Sequence, residues 1–286
     1  MSKKNEELDL CGLLRCPQRP VNLAAADTAA TPGAPGDKEA TAQDVATLAD
    51  ELSDLQERLF ARGKDDPEHA RRLLVVLQGL DTAGKGGVVR HTLGLVDPQG
   101  IHLKAFKAPT PEEREHDFLW RIRKDLPEAG MIGVFDRSHY EDVLIARVDH
   151  LVEDAVWQGR YDIINDFEAE LAASGTRIIK CFLHVSKDVQ KERLAARLED
   201  PAKYWKYNPS DLDTRSKWDD YTAAYTDLLE RCNPDIAPWY VVPADHKWYR
   251  NWAVARLMLE TMRSMNLTWP PAEFDVKAEQ EKVAAA

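Results

Sequence analysis

One segment constrains the fold of this chain more than any other. Leu73-Leu74-Val75-Val76-Leu77 is a short continuous apolar run, the pattern of a strand buried on both faces. It leads into Gly79-Leu80-Asp81-Thr82-Ala83-Gly84-Lys85-Gly86-Gly87, after which Val88 to Val96 reads as a helix. Strand, glycine loop and helix in that order are the setting in which a P-loop grips phosphate. Gly79, Gly84, Gly86 and Gly87 let backbone N–H groups turn inward around phosphate oxygens. The helix N-terminus adds its dipole, and Lys85 supplies a charge for the outer phosphates. A glycine-rich turn without a ligand is the alternative, and it leaves the placement of Lys85 unexplained.

A strand buried on both faces needs helices above and below it. Strand-like runs at Ile101 to Phe106, Met131 to Phe135, Arg177 to Val185 and Trp239 to Val242 alternate with helical stretches. The helical stretches are Pro111 to Lys124, Asp142 to Val156, Tyr161 to Ala173, Lys187 to Leu198, Leu212 to Arg231 and Trp248 to Met265. This alternation predicts an α/β fold, a P-loop kinase-like three-layer sandwich with a mainly parallel five-stranded sheet. Val45, Leu48, Leu52, Leu55 and Leu59 recur at helical spacing and predict an N-terminal helical extension from Thr41 to Arg62. Residues 1–38, carrying AAADTAATPGAPGDK, read as a disordered tail. Residues 39–272 read as the phosphotransferase domain with a helical lid at about 187–225, and 273–286 as a C-terminal tail.

The loop departs from the common motif in one respect. Gly86 stands where a Ser or Thr hydroxyl usually binds Mg²⁺. Asp81 lies inside the loop instead, and Asp136 closes an apolar strand as a Walker B acid does. Together they can hold hydrated Mg²⁺, or Mn²⁺ in its place, because such ions bind through one or two carboxylates plus substrate oxygens. Asp136 can also cap a helix, and the two roles are compatible. Arg193 and Arg197 are four apart and share a helix face. With Lys203 and Lys206 they have the composition of a basic lid over phosphates. The competing reading is a solvated helix whose arginines pair with Glu192, Glu199 and Asp200. His139, beside Asp136, is a candidate phosphate contact.

Charge narrows the partners. With 49 acidic against 38 basic residues the net charge is −11, which argues against general nucleic-acid binding. A local basic groove can still take a polyanion. The four cysteines form no C-x-x-C pair and read as free thiols in a reducing compartment. No apolar run approaches the ~18–20 residues of a bilayer span, and the charged N-terminus has no apolar core. No membrane partner and a cytoplasmic location are expected.

Five stretches together resemble the second family of polyphosphate kinases. They are GLDTAGKGG (79–87), FDRSHYEDVL (135–144), RLAARLEDPAKYWK (193–206), DLDTRSKWDDYTAAY (211–225) and APWYVVPADHKWYRN (237–251), in order across about residues 40–272. The resemblance implies a kinase moving a terminal phosphoryl group reversibly between inorganic polyphosphate and a nucleotide (AMP or ADP, GMP or GDP), and a homodimer or homotetramer. It implies that Lys85 binds the phosphate chain, Asp81 and Asp136 organise Mg²⁺, and Arg137 contacts phosphate. Arg193 and Arg197 would stabilise the transferred group, and Glu141 would bear on nucleotide choice. FDRSHYEDVL is similar to the subgroup that acts on both mono- and diphosphates, although Asn is common there at the place of Asp136. Two other readings share the motifs: an ATP-dependent nucleoside monophosphate kinase and a non-catalytic P-loop sensor of nucleotide or polyphosphate. Lys85, both carboxylates and the arginine pair weigh against the sensor.

Overall fold

The computed structural model describes residues 8–286. Helices α1 (Leu10–Leu14) and α2 (Lys38–Asp65) precede strand β1 (Arg72–Gln78). Then come α3 (Lys85–Thr92), β2 (Ile101–Ala105), α4 (Trp120–Lys124), β3 (Ile132–Asp136), α5 (Ile145–Val148), α6 (Asp154–Ala173) and β4 (Thr176–His184). The chain ends with α7 (Lys187–Glu199), α8 (Ser210–Ser216), α9 (Trp218–Arg231), β5 (Trp239–Pro243), α10 (Lys247–Ser264) and α11 (Val276–Ala285).

The five strands form one sheet in the order β2-β3-β1-β4-β5, and every pairing is parallel. β1 lies at the centre, with Val75 opposite Val134 on one side and Ile179 on the other. Its alternate residues face different layers. Leu73, Val75 and Leu77 join the core beneath α1, α2, α3 and α10, while Leu74 and Val76 join the core beneath α4, α6 and α9. That is why the run is apolar without a break. From β1 the chain moves out to β2, returns to β3, then crosses to β4. The carboxyl end of β1 therefore sits at the switch point, where open α/β sheets bind their ligands.

Several expected boundaries move. The stretch Pro111 to Lys124 is not one helix: only the turn Glu113–Glu115 and α4 are helical. Its first half is largely exposed, and Leu119 and Ile122 are buried in the core with Phe118 packed against it. Asp142 to Val156 yields the four-residue α5, and α6 begins at Asp154 and absorbs the helix expected at Tyr161. The expected lid helix at Leu212 breaks at Lys217 into α8 and α9.

The larger correction concerns the tail. Residues 8–37 are packed on the domain. Leu10 and Leu14 sink into the layer of α10, and Cys16, Val21 and Leu23 into the opposite layer. The Cys16 N–H donates to Trp239 O at 2.8 Å. Both oxygens of Glu260 accept backbone N–H groups, from Leu10 at 3.2 Å and Cys11 at 2.9 Å. A handful of apolar anchors spaced among Ala, Pro and Gly suffices, and average composition hid them. The part of the expected tail at 1–7 lies outside the described residues. At the other end, α11 buries none of its residues. Among the described residues no helix is long and apolar enough to cross a membrane.

Candidate active site

The loop Gly79 to Gly87 joins β1 to α3 and places Lys85 in the first turn of the helix. Gly84, the N-cap, has φ 110°, a left-handed conformation that suits glycine. Among the described residues four non-glycine residues share that region, and two of them lie here, Thr82 at φ 64° in the loop and Arg137 at φ 63° after β3. Such conformations cost of order 1–3 kcal/mol and collect at functional sites. Lys85 is buried, and its Nζ donates to Gly79 O at 2.8 Å. Burial and then the Arg137 charge pull its pKa down, against Asp136, Asp81 and Glu141, which raise it. The lysine is thus held inside the loop among opposing charges.

β3 pairs with β1 so that Asp136 lies level with Leu77, at the loop's edge. The next residue, Arg137, donates from Nη2 to Asp81 Oδ1 at 2.8 Å. Burial opposes its charge, but Glu141, Asp81, Tyr225 and Asp136 together raise its pKa. Glu141 is the reverse case: burial first and Asp81 push its carboxyl up, against Arg137, Lys85 and Gln78. With its amide nitrogen turned to Glu141, Gln78 donates to Oε1 at 3.1 Å and accepts from Ser138. Asp81, Asp136, Lys85, Arg137 and Glu141 thus form one electrostatic cluster at the carboxyl ends of the two central strands.

A cleft of about 440 Å³ opens beside this cluster. Asp81, Glu141, Asp149, Asp211 and Asp213 line it, against Arg137 and Lys217. Carboxylates outnumber cations, so a phosphorylated ligand entering here needs added positive charge. Among the described residues no three His, Cys, Asp or Glu side chains form a ready metal cage. Two hard carboxylates, Asp81 and Asp136, fit an ion that keeps several waters and takes its remaining ligands from phosphate.

The lid arginines are both engaged. Arg193 Nη1 donates to Thr82 O at 2.9 Å, and its Nη2 to Ala244 O at 2.6 Å and Asp245 O at 2.9 Å. Arg197 donates to Lys206 O at 2.7 Å and pairs with Asp211 Oδ2 at 3.1 Å. Neither pairs with Glu192, Glu199 or Asp200, as the solvated-helix reading required. Lys203 pairs with Asp200 at 2.8 Å, and Lys206 Nζ lies 4.9 Å from the centre of the exposed Trp205 ring.

His139 is not at the phosphate site. It is 1% exposed, packs on Tyr140 and Phe167, and sits 3.6 Å from Glu168. The turn His139–Asp142 sends His139 and Tyr140 into the core, where Lys180 and Glu168 meet the tyrosine hydroxyl. Sequence adjacency to Asp136 misled, because the turn that follows β3 rotates His139 away from the strand end and into the core.

Three groups at the site went unmarked in the sequence. Gln190 donates to Asp81 O at 3.1 Å, Asp211 holds Arg197, and Arg250 donates to Ala83 O at 2.9 Å. Arg250 lies within the recognised 237–251 stretch, but its partner is far away in sequence.

A parallel sheet whose central strand ends in a lysine-bearing glycine loop, faced by an acidic strand end and an arginine-rich flap, defines a P-loop kinase fold. Residues 36–270 match the family described as Polyphosphate kinase 2 (PPK2), and the chain belongs to that family. It is 43% identical over 238 residues to the AMP/ADP-polyphosphate phosphotransferase of Meiothermus ruber, covering 83% of this chain and 87% of that protein. It is 45% identical over 236 residues to the ADP-polyphosphate phosphotransferase of Rhodopseudomonas palustris, covering 78% and 80%. The crystal structure of Polyphosphate Kinase 2 from Arthrobacter aurescens TC1 superposes with a TM-score of 0.94 at 50% identity, covering 98% of each chain.

Proposed function

We propose that this chain transfers a terminal phosphoryl group, reversibly, between inorganic polyphosphate and a nucleoside mono- or diphosphate. The observation that carries the reading is Lys85, buried in the loop and surrounded by Asp81, Asp136 and Arg137, in a family whose relatives are named for polyphosphate transfer.

In the forward direction a terminal oxygen of the nucleotide phosphate attacks the terminal phosphorus of the chain. The bond from that phosphorus to the next bridging oxygen breaks, and the shortened chain leaves with the charge. The nucleophile is already an anion, so no base is needed. Catalysis reduces to alignment and charge neutralisation. Lys85 neutralises the outer phosphates. Arg137, released from Asp81 by competing phosphate, adds a planar donor pair. Asp81 and Asp136 would hold Mg²⁺, or Mn²⁺, whose charge offsets crowded phosphate oxygens when bound. Arg197 would exchange Asp211 for the transferred group. One phosphoanhydride replaces another, which makes the reaction freely reversible.

A homo-oligomer in a reducing cytoplasm belongs to the same proposal. Family membership supports the first, and four unpaired cysteines support the second. A donor screen tests the function: polyphosphate with ADP, polyphosphate with AMP, and ATP with AMP. Nucleotide phosphorylation from polyphosphate is the expected result. Transfer from ATP alone would favour a nucleoside monophosphate kinase, and no transfer at all a sensor.

A further inference from the structure

Two arginines grip the P-loop from behind. Arg250, in the first turn of α10, is buried at 3% exposure. Its Nη1 donates to Ala83 O at 2.9 Å, while Nε and Nη2 donate to Asn251 Oδ1 at 3.2 and 2.9 Å. Arg193 reaches the same carbonyl, Ala83 O, at 3.4 Å while bonding Thr82 O. In a trans peptide the N–H points opposite to the C=O. Fixing the Ala83 carbonyl from behind therefore fixes the direction of the Gly84 N–H, which donates to no protein group among the described residues.

The glycines of the loop report the same contact independently. A Cβ on Gly84 would overlap Arg250 Nη1, and one on Gly87 would lie 2.5 Å from Arg250 Nη2. A Cβ on Gly86 would meet nothing within 4 Å. Gly87 has no positive φ to explain it, so Arg250 is its reason. The charges point the same way. Burial, then Arg193, pull Arg250 down to about 10, which leaves it cationic at neutral pH. Among the described residues no carboxylate forms an ion pair with either guanidinium. Arg250 is a buried cation without an ion-pair partner, costly until an anion arrives, while the half-buried Arg193 feels the charges of Asp245 and Glu192.

We infer that Arg250, together with Arg193, is a positioning residue for phosphoryl transfer: their guanidinium groups lock the Ala83–Gly84 peptide with its N–H toward phosphate, and Gly84 and Gly87 lack side chains to admit Arg250. The inference rests on the phosphoryl-transfer reading above.

The test is a double-mutant cycle on the full chain with Arg250→Met, Arg250→Lys, Gly87→Ala and the Arg250→Met/Gly87→Ala pair. ATP formation from polyphosphate and ADP, tripolyphosphate affinity by calorimetry, and Tm are measured for each. Arg250→Met should lower kcat/KM by roughly ten- to a hundredfold, the scale of one or two charge-assisted hydrogen bonds. Arg250→Lys should fall between, keeping the charge but not the fork. Gly87→Ala should be damaging alone and add less than about threefold in the Arg250→Met background, because contacting sites are not additive. Tm of the ligand-free variants should change little while tripolyphosphate affinity falls. Additive losses, or a lower Tm with unchanged kcat/KM and affinity, would overturn the inference. If the wild type makes no ATP from polyphosphate, the functional reading fails by itself, and tripolyphosphate affinity still decides whether the arginine grip exists.

Discussion

Asp81 and Asp136 are asked to do two things at once, to balance Lys85 and Arg137 in the free protein and to hold a cation against phosphate. Asp81→Asn and Asp136→Asn should each cut turnover by about two orders of magnitude or more, the scale of losing one preorganised electrostatic group, with the fold intact. Steady-state kinetics at saturating Mg²⁺ checks this, and near-normal turnover in either variant would remove that carboxylate from the metal account. Glu141 carries a pH signature. Its carboxyl is held above the ordinary carboxylate range by burial and by Asp81, whereas in the unfolded chain it ionises at lower pH. Between those two values the folded state binds more protons than the unfolded state, so stability falls as pH rises through that window. Glu141→Gln removes the titration, and should raise Tm at about pH 7 by roughly 2 °C per kcal/mol released, with no gain below about pH 4. A gain that is the same at both pH values would contradict the burial of an ionisable group there. At this scale Lys85 and Asp81 were legible because a local motif fixes their spacing, and Arg137 only because its stretch resembles the family. Arg250 was not, because its partner Ala83 lies 167 positions away and no local pattern records a tertiary contact. His139 failed for the opposite reason, being near the motif in sequence and on the wrong side of the chain in space.

Elements were legible where period and length agreed. β1 and α2 appear as expected because an unbroken apolar run and a helical stripe are strong signals. Short helices such as α4 and α5 were overextended, since a charged stretch scores as helix whether or not it has a face to bury. The N-terminal segment was read from its Ala, Pro and Gly content, which outweighed four or five anchors. Those anchors make a prediction. Leu10 is fully buried, so Leu10→Ala should destabilise the fold by about 2–5 kcal/mol, as buried Leu-to-Ala changes do. Denaturant unfolding monitored by tryptophan fluorescence measures it. A change within the experimental scatter would return residues 8–37 to the status of a tail.

For the whole molecule, the net charge of −11 and a polyanionic substrate set opposing demands. The two are reconciled by position. Carboxylates crowd the cleft beside Asp81, while burial and then Arg193, Arg250 and Lys203 lower the pKa of Lys247, which marks an excess of positive charge on the Lys247 side of the loop. Polyphosphate bound along that side should lose affinity steeply with salt, by ion release. Short chains, touching fewer cations, should show a shallower slope. KM for long and short chains across a salt series measures this, and a flat KM for both would deny the basic path. The central claim, that Lys85 in this loop serves transfer from polyphosphate to nucleotide, is tested most directly by ³¹P NMR of long-chain polyphosphate with ADP and Mg²⁺. The wild type should consume chain phosphate and build the γ-phosphate of ATP, and Lys85→Met, folded to the same Tm, should do so at least about a hundredfold more slowly. No γ-phosphate with the wild type, or an equal rate with Lys85→Met, would contradict it.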